Sequence, residues 1–311
     1  MFRLKKAICV FVCFCIVFLS SCTNTVKKSG TQIVASFYPV YIFVLNLTDG
    51  ADDITLSCMA EQNVGCLHDY RLEAKDAKLV ADADIMVING AGMEEFIEDL
   101  YKSNEELFVI DSSTGIELIE EDEDHEEHGE EEHGEEHAHH HGANSHIWMS
   151  VDNAIKQVSN IADGLCEKLP QYKDRITANK NLYTARLNML KAELLRESFP
   201  LKNMNVISFH EAYDYMAREL SLSVICSIES DEGGEPSSKG LTELTDIIRK
   251  ENVKALFTEP YYKGSAAEIL SNETGVGIFV LNPVTRGEKA LTAYEDIMRQ
   301  NIETIKKAVN G

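Results

Sequence analysis

Apolar positions along the chain fall into short continuous runs that alternate with stretches of helical spacing. Gln32 to Tyr41 (QIVASFYPVY) predicts a buried strand running into a turn at Pro39, and Ile54 to Met59 a second short strand. Glu73 to Ala83 sets Ala74, Ala77, Val80 and Ala81 on one side, the spacing of an amphipathic helix. Asp84 to Asn89 is apolar between its ends and runs into Gly90-Ala91-Gly92, as a parallel strand delivering a loop does. Met93 to Tyr101 reads as helix, and Leu107 to Asp111 as another strand.

The middle of the chain changes rhythm. Val151 to Leu169 carries Ile155, Val158, Ile161 and Leu165 at helical spacing and stops at Pro170. Tyr172 to Phe199 predicts one long helix with Ile176, Tyr183, Leu187, Leu190 and Leu194 on a stripe. Strand and helix then alternate again: strand 205–209, helix 212–220, strand 223–228, helix 241–252 with Thr242 as its cap, strand 255–258, helix 266–274, strand 278–281, helix 294–309. The pattern predicts an α/β fold: two α/β lobes with mostly parallel sheets, joined by a long rigid linker helix. Ligand groups then belong at strand ends, in a cleft between the lobes. A continuous helix between lobes predicts a small tilt or loop rearrangement on binding rather than wide hinge closure.

The N-terminus follows a different logic. Arg3, Lys5 and Lys6 precede an apolar run from Ala7 to Leu19, and Ser20-Ser21-Cys22 follows. A basic start, a short apolar core and small residues describe an export signal, too short to span a bilayer comfortably. The small pair before Cys22 resembles the lipobox of bacterial lipoproteins, so residues 1–21 are expected to be a signal peptide. Cys22 is then the lipid-bearing first residue and 22–31 a tether. A plain secretory signal and a short N-terminal membrane anchor are the alternatives. Cys58, Cys66, Cys166 and Cys226 would remain, with a Cys58–Cys66 disulfide and reduced buried thiols both open. The expected organisation continues with an N-terminal lobe over 32–150, a helical linker over 151–203 and a C-terminal lobe over 204–311.

Charge adds one local feature. The formal net charge is −23, from 29 Lys and Arg against 52 Asp and Glu, which argues against nucleic acid as a partner. Residues 120–141 hold twelve of those carboxylates with no basic residue, about half of the imbalance. The same stretch holds His125, His128, His133, His137, His139, His140 and His141. Such a composition builds no core and predicts a disordered loop, either a solvated charge run or a loose auxiliary metal store. Only His68, His146 and His210 lie elsewhere, each at the edge of a structured run. Neutral imidazole is a preferred ligand of zinc, so three such residues in an exported chain suggest a metal site.

Several motifs in order carry a resemblance over about residues 32–309. They are SFYPVY at 36–41, HDYRLEAKDAKLVADADIMVINGAGMEEF at 68–96, SHIWMSVDNA at 145–154, ISFHEAYDYMA at 207–217, EPSSKGLTELTDII at 235–248, LFTEPYY at 256–262 and ETGVGIFVLNPV at 273–284. With them the chain resembles the zinc/manganese solute-binding lipoproteins of bacterial ABC importers, of the ZnuA type and zinc subgroup. The resemblance implies an extracytoplasmic, lipid-anchored and monomeric carrier of Zn2+ with a permease and its ATPase as partners, and no enzyme. It implies His68, His146 and His210 as metal ligands and a His-rich loop between the first two.

Where members of the family often carry Asp, this chain has Asn282, so a carboxylate ligand is replaced by a neutral amide. Glu259 of the TEP motif, Asn282 or water is left to complete the tetrahedron, and Glu259 could equally orient an imidazole. Rival readings are a manganese or other divalent-metal carrier, a surface adhesin or metal buffer, and a zinc hydrolase. Imidazole favours zinc over manganese. No H-E-x-x-H and no nucleophile elbow is present, which weighs against the hydrolase.

Overall fold

The computed structural model describes residues 30–60, 70–120, 143–228, 235–262 and 264–310. Among the described residues, eight parallel strands form two sheets of four. In the first, β1 (Thr31–Ala35) is flanked by β2 (Ile54–Cys58) and β3 (Ile85–Ile88), with β4 (Phe108–Asp111) outside β3. A short antiparallel pair, β5 (Ile119–Glu120) with β6 (Ala143–Asn144), follows. The second sheet repeats the first order: β7 (Asn205–Ser208) lies between β8 (Ser223–Ser227) and β9 (Ala255–Thr258), with β10 (Gly277–Val280) outside β9. The chain therefore reverses direction across each sheet between its first and third strands, where α/β sheets open a crevice at their carboxyl ends.

The helices are α1 (Tyr38–Leu47), α2 (Ala74–Ala81), α3 (Glu98–Lys102), α4 (Val151–Lys168), α5 (Lys173–Ser198), α6 (Asp214–Leu220), α7 (Ser238–Lys250), α8 (Ala266–Thr274) and α9 (Ala293–Asn310). Alternate strand residues point to opposite faces. Ile33, Ala35, Ile85 and Val87 of the first sheet join Val206, Ala255 and Phe257 of the second in one large core that also takes in α1, α4, α5 and α9. Val34, Met86 and Ile88 turn outward to Val80 of α2, and Ile207 and Leu256 turn outward to α7 and α8. Each sheet is thus covered on both faces. That is why IMVI (85–88) and ALFT (255–258) are buried at every position.

The long helix is present as α5, 26 residues and about 40 Å, packed on α4, α1 and α9. Its buried residues include the predicted Ile176, Tyr183, Leu187, Leu190 and Leu194. Pro170 separates it from α4 by a single 3-10 turn.

Three expectations need correction. Pro39 does not end a strand in a turn: β1 stops at Ala35 and Pro39 sits in the first turn of α1, where its missing N–H has no helical partner to lose. Helix α7 starts earlier than Leu241, because Ser237 in extended conformation accepts the N–H of Gly240. Thr242 lies inside the helix and bonds back to the Ser238 carbonyl. Residues 93–97 form a turn and a 3-10 segment (Glu95–Ile97), and only from Glu98 does the short α3 begin, so 93–101 is not one helix.

Buried and half-buried hydrogen bonds join the early and late parts of the chain. Trp148 Nε1 donates to Pro283 O (2.8 Å) and Tyr294 OH to Trp148 O (2.8 Å). Tyr38 OH donates to Glu288 O (2.7 Å), and Arg186 of α5 holds Asn46 Oδ1, Leu291 O and Glu295. Among the described residues, no helix is long and apolar enough to cross a membrane.

Candidate metal centre

His146 and His210 come from distant parts of the chain and meet edge to face, ring centroids 4.7 Å apart at 85°. His146 lies just after β6 and is fully buried. Its backbone N–H donates to Asn144 Oδ1 (2.9 Å), and the same oxygen lies 3.1 Å from its Nδ1. Glu211 Oε1 is 3.3 Å from that nitrogen as well. The ring packs on Trp148 (centroids 5.1 Å), which is held edge-on by Phe37 (4.8 Å) and by its bond to Pro283.

His210 follows β7 in an extended conformation and opens a 3-10 turn over Glu211–Tyr213. Ser208 Oγ fixes that bend, donating to His210 O (2.6 Å). Glu259, immediately after β9, pairs its carboxylate with His210 Nδ1. Both residues therefore sit at the carboxyl ends of β7 and β9, the two strands between which the second sheet reverses. Each imidazole meets a carboxylate on Nδ1, which leaves Nε2 as the atom to carry a lone pair. Two imidazoles on one zinc, at Zn–N distances of 2.0–2.1 Å, have centroids about 5 Å apart, so the observed spacing suits a shared ion.

Further carboxylates line the region. Burial pushes the Asp214 carboxyl up to about 6, and the neighbouring Glu211 charge adds to this against bonds from Ser227 and Asn144. Burial likewise pushes the Tyr213 phenol well up, and its hydroxyl donates to Leu281 O (2.6 Å). Arg286 stacks on Tyr261 (3.2 Å to the ring centroid) within reach of the Glu259 charge.

Asn282 has another occupation. Its Oδ1 accepts the N–H of Val284 (2.8 Å), while its backbone exchanges two bonds with the Asn301 amide. Val284 is at φ 59, a region unfavourable for a β-branched residue, so this bond stabilises a strained turn. Among the described residues, no three His, Cys, Asp or Glu side chains converge as a complete metal-binding group. His68 lies outside the described residues, as do Cys22, Cys66 and the loop histidines 125, 128, 133, 137, 139, 140 and 141. Cys58 donates its thiol to Ala60 O (3.3 Å). Asn144 was not legible as a site residue, since an Asn two positions before a His carries no signal of its own.

The model of the family described as zinc-uptake complex component A, periplasmic, matches residues 33–308. The chain belongs to this family. It is 28% identical to the zinc-binding lipoprotein AdcA of Streptococcus pneumoniae over 99% of this chain and 62% of that protein, so it spans less than two thirds of such relatives. It is also 28% identical to the high-affinity zinc uptake system protein ZnuA of Bacillus subtilis, over 95% of each. Among solved structures it is similar to the SBP FpvC of Pseudomonas aeruginosa in complex with Ni2+, with TM-score 0.75 and 26% identity over 90% of this chain and 97% of that one. The family is one of uptake components rather than enzymes, and its α/β architecture agrees with the fold expected from the strand–helix alternation.

Proposed function

We propose that this protein is the extracytoplasmic zinc-binding component of an ABC metal importer. It captures Zn2+ between its lobes and delivers it to a membrane permease driven by an ATPase. The observation that carries the reading is the His146–His210 pair, brought edge to face with a carboxylate on each Nδ1. His68, which precedes β3 and α2 in the chain, is the third ligand in this reading. Glu259 orients His210, and a water completes the tetrahedron, because the Asn282 oxygen is engaged by Val284. Residues 1–21 are removed on export, Cys22 carries lipid and anchors a monomer to the outer face of the membrane, and 120–141 hold further zinc loosely.

Names of relatives support the cargo: one is called a zinc uptake protein and another a zinc-binding lipoprotein. A second reading has a specific basis, since FpvC is described in complex with Ni2+ and with Mn2+. Nitrogen ligands favour zinc and nickel over manganese.

Metal content and competition titration of residues 22–311, with and without 120–141, test the proposal. One tight Zn2+ equivalent should survive the deletion while weaker equivalents disappear, and Mn2+ should compete poorly. Loss of the tightest site with the loop would mean that the loop supplies a primary ligand. Preference for Mn2+ would overturn the zinc assignment.

A further inference from the structure

We propose that Asn144 is the positioning residue of this centre: one buried side-chain amide that holds His146 in its metal-binding tautomer and ties it to the segment carrying His210. The inference rests on the reading of both histidines as ligands. Asn144 is 1% exposed and ends the two-stranded β5–β6 ladder, paired with Ile119. Its Oδ1 accepts the backbone N–H of His146 at 2.9 Å and lies 3.1 Å from the Nδ1 of the same residue. Its Nδ2 faces two acceptors, Glu211 O at 3.0 Å and Asp214 Oδ2 at 3.3 Å.

The backbone N–H on one side and the two oxygens on the other admit one orientation of the amide. Turned over, it would set NH2 against the His146 N–H and oxygen against two oxygens. An amide oxygen can only accept, so Nδ1 of His146 carries the proton and Nε2 carries the lone pair that a metal would take. Glu211 Oε1, 3.3 Å from the same nitrogen, makes the same demand. The other end of the amide does a different task. Glu211 follows His210 directly, so the bond from Nδ2 to Glu211 O sets the segment after β7 against the segment after β6. Asn144 is itself pinned, because Tyr215 OH donates to its carbonyl (2.7 Å) and accepts from Ile119 N (2.9 Å). A group that orients a ligand imidazole and registers it against a second is worth about 10–100-fold in metal affinity.

A double-mutant cycle read by Zn2+ competition titration decides this. Asn144→Ala should weaken Zn2+ binding at least about 10-fold in the otherwise unchanged protein, and less than about 2-fold in a His146→Ala background, since a positioning residue has nothing left to position. Equal losses in both backgrounds would overturn the proposal, as would an Asn144→Ala protein that binds normally. If His146→Ala itself leaves affinity unchanged, the ligand assignment has failed first and this inference falls with it. Should Asn144→Ala not fold, the 15N shifts of the His146 ring in the unaltered apo protein decide. Protonation at Nδ1 is expected, and a ring protonated at Nε2 alone overturns the proposal.

Discussion

The two histidines and Asn282 differ in what occupies their side chains, and that difference orders their expected effects. His146→Ala or His210→Ala should each cost more than about 10-fold in Zn2+ affinity, measured against a chromophoric chelator. Asn282→Ala should leave affinity nearly unchanged and instead lower stability by about 1 kcal/mol, because it removes the acceptor that holds the Val284 turn. An affinity loss for Asn282→Ala as large as that of His210→Ala would make Asn282 a ligand. Glu94 offers a second test at this scale. It is 2% exposed, it accepts the N–H groups of Asn89 (2.7 Å) and Gly90 (3.0 Å), and burial lifts its carboxyl to about 7. Between an ordinary carboxylate value near 4.5 and 7, the folded protein then holds a proton that the unfolded chain has lost. Its contribution to stability is therefore full below about 4.5 and disappears as pH rises through about 7, by up to about 3 kcal/mol. Denaturant unfolding of the wild type and of Glu94→Gln from pH 5 to 8 should show a fall in the former that is reduced in the latter. Parallel slopes would dismiss Glu94 as the source. Gly90 needs its residue type for a different reason: at φ 80, a Cβ would collide with the Asp111 side chain.

Within elements, position on a helix decides cost. Leu187 of α5 is fully buried in the shared core, whereas Leu182 of the same helix is 67% exposed. Leu187→Ala should destabilise by about 2–5 kcal/mol, and Leu182→Ala by no more than about 0.5 kcal/mol. Thermal unfolding of the two variants checks this, and similar midpoints would mean that α5 is not packed as described. The contrast follows from a stripe narrower than the helix surface, since Ile176, Tyr183, Leu187, Leu190 and Leu194 lie on the side facing α4, α1 and α9. Ser237 and Ser150 show that helix starts are set locally, each accepting a backbone N–H three residues on.

For the molecule as a whole, one core spans both sheets, and a continuous 26-residue helix runs through it. Opening the lobes widely would break the bonds of Trp148 to Pro283, Tyr38 to Glu288 and Arg186 to Asn46 and Leu291, and would expose apolar surface with them. Metal binding should therefore proceed by rearrangement of ligand loops or a slight tilt. Small-angle scattering profiles of apo and zinc-loaded protein should nearly superimpose. A large compaction on Zn2+ addition would contradict this.

Strand and helix alternation, the long helix after Pro170 and the edge positions of His146 and His210 were all legible in residue order, because each depends on periodicity or on neighbours a few positions away. Burial at every position of 85–88 had the same origin, since the continuous apolar run bounded by Gly90-Ala91-Gly92 is what a parallel strand covered on both faces carries. Pro39 misled because its fixed φ serves a turn and a first helical turn equally well. The pairing of Glu259 with His210 and of Asn144 with both His146 and Glu211 could not be read in advance. The Asn144–Glu211 and His210–Glu259 contacts join residues 67 and 49 positions apart and depend on strand order and on the angle at which segments leave their sheets, while the two-residue contact of Asn144 with His146 depends on how the ring is turned after β6. Residue order was enough for the alternation of strands and helices and for the candidate ligands His146 and His210 at segment edges, because both depend on residue type and on near neighbours. Which polar groups face Nδ1 of each imidazole was settled by the folded chain, because hydrogen bonds act over about 3 Å and periodicity carries no information about partners that come from other segments.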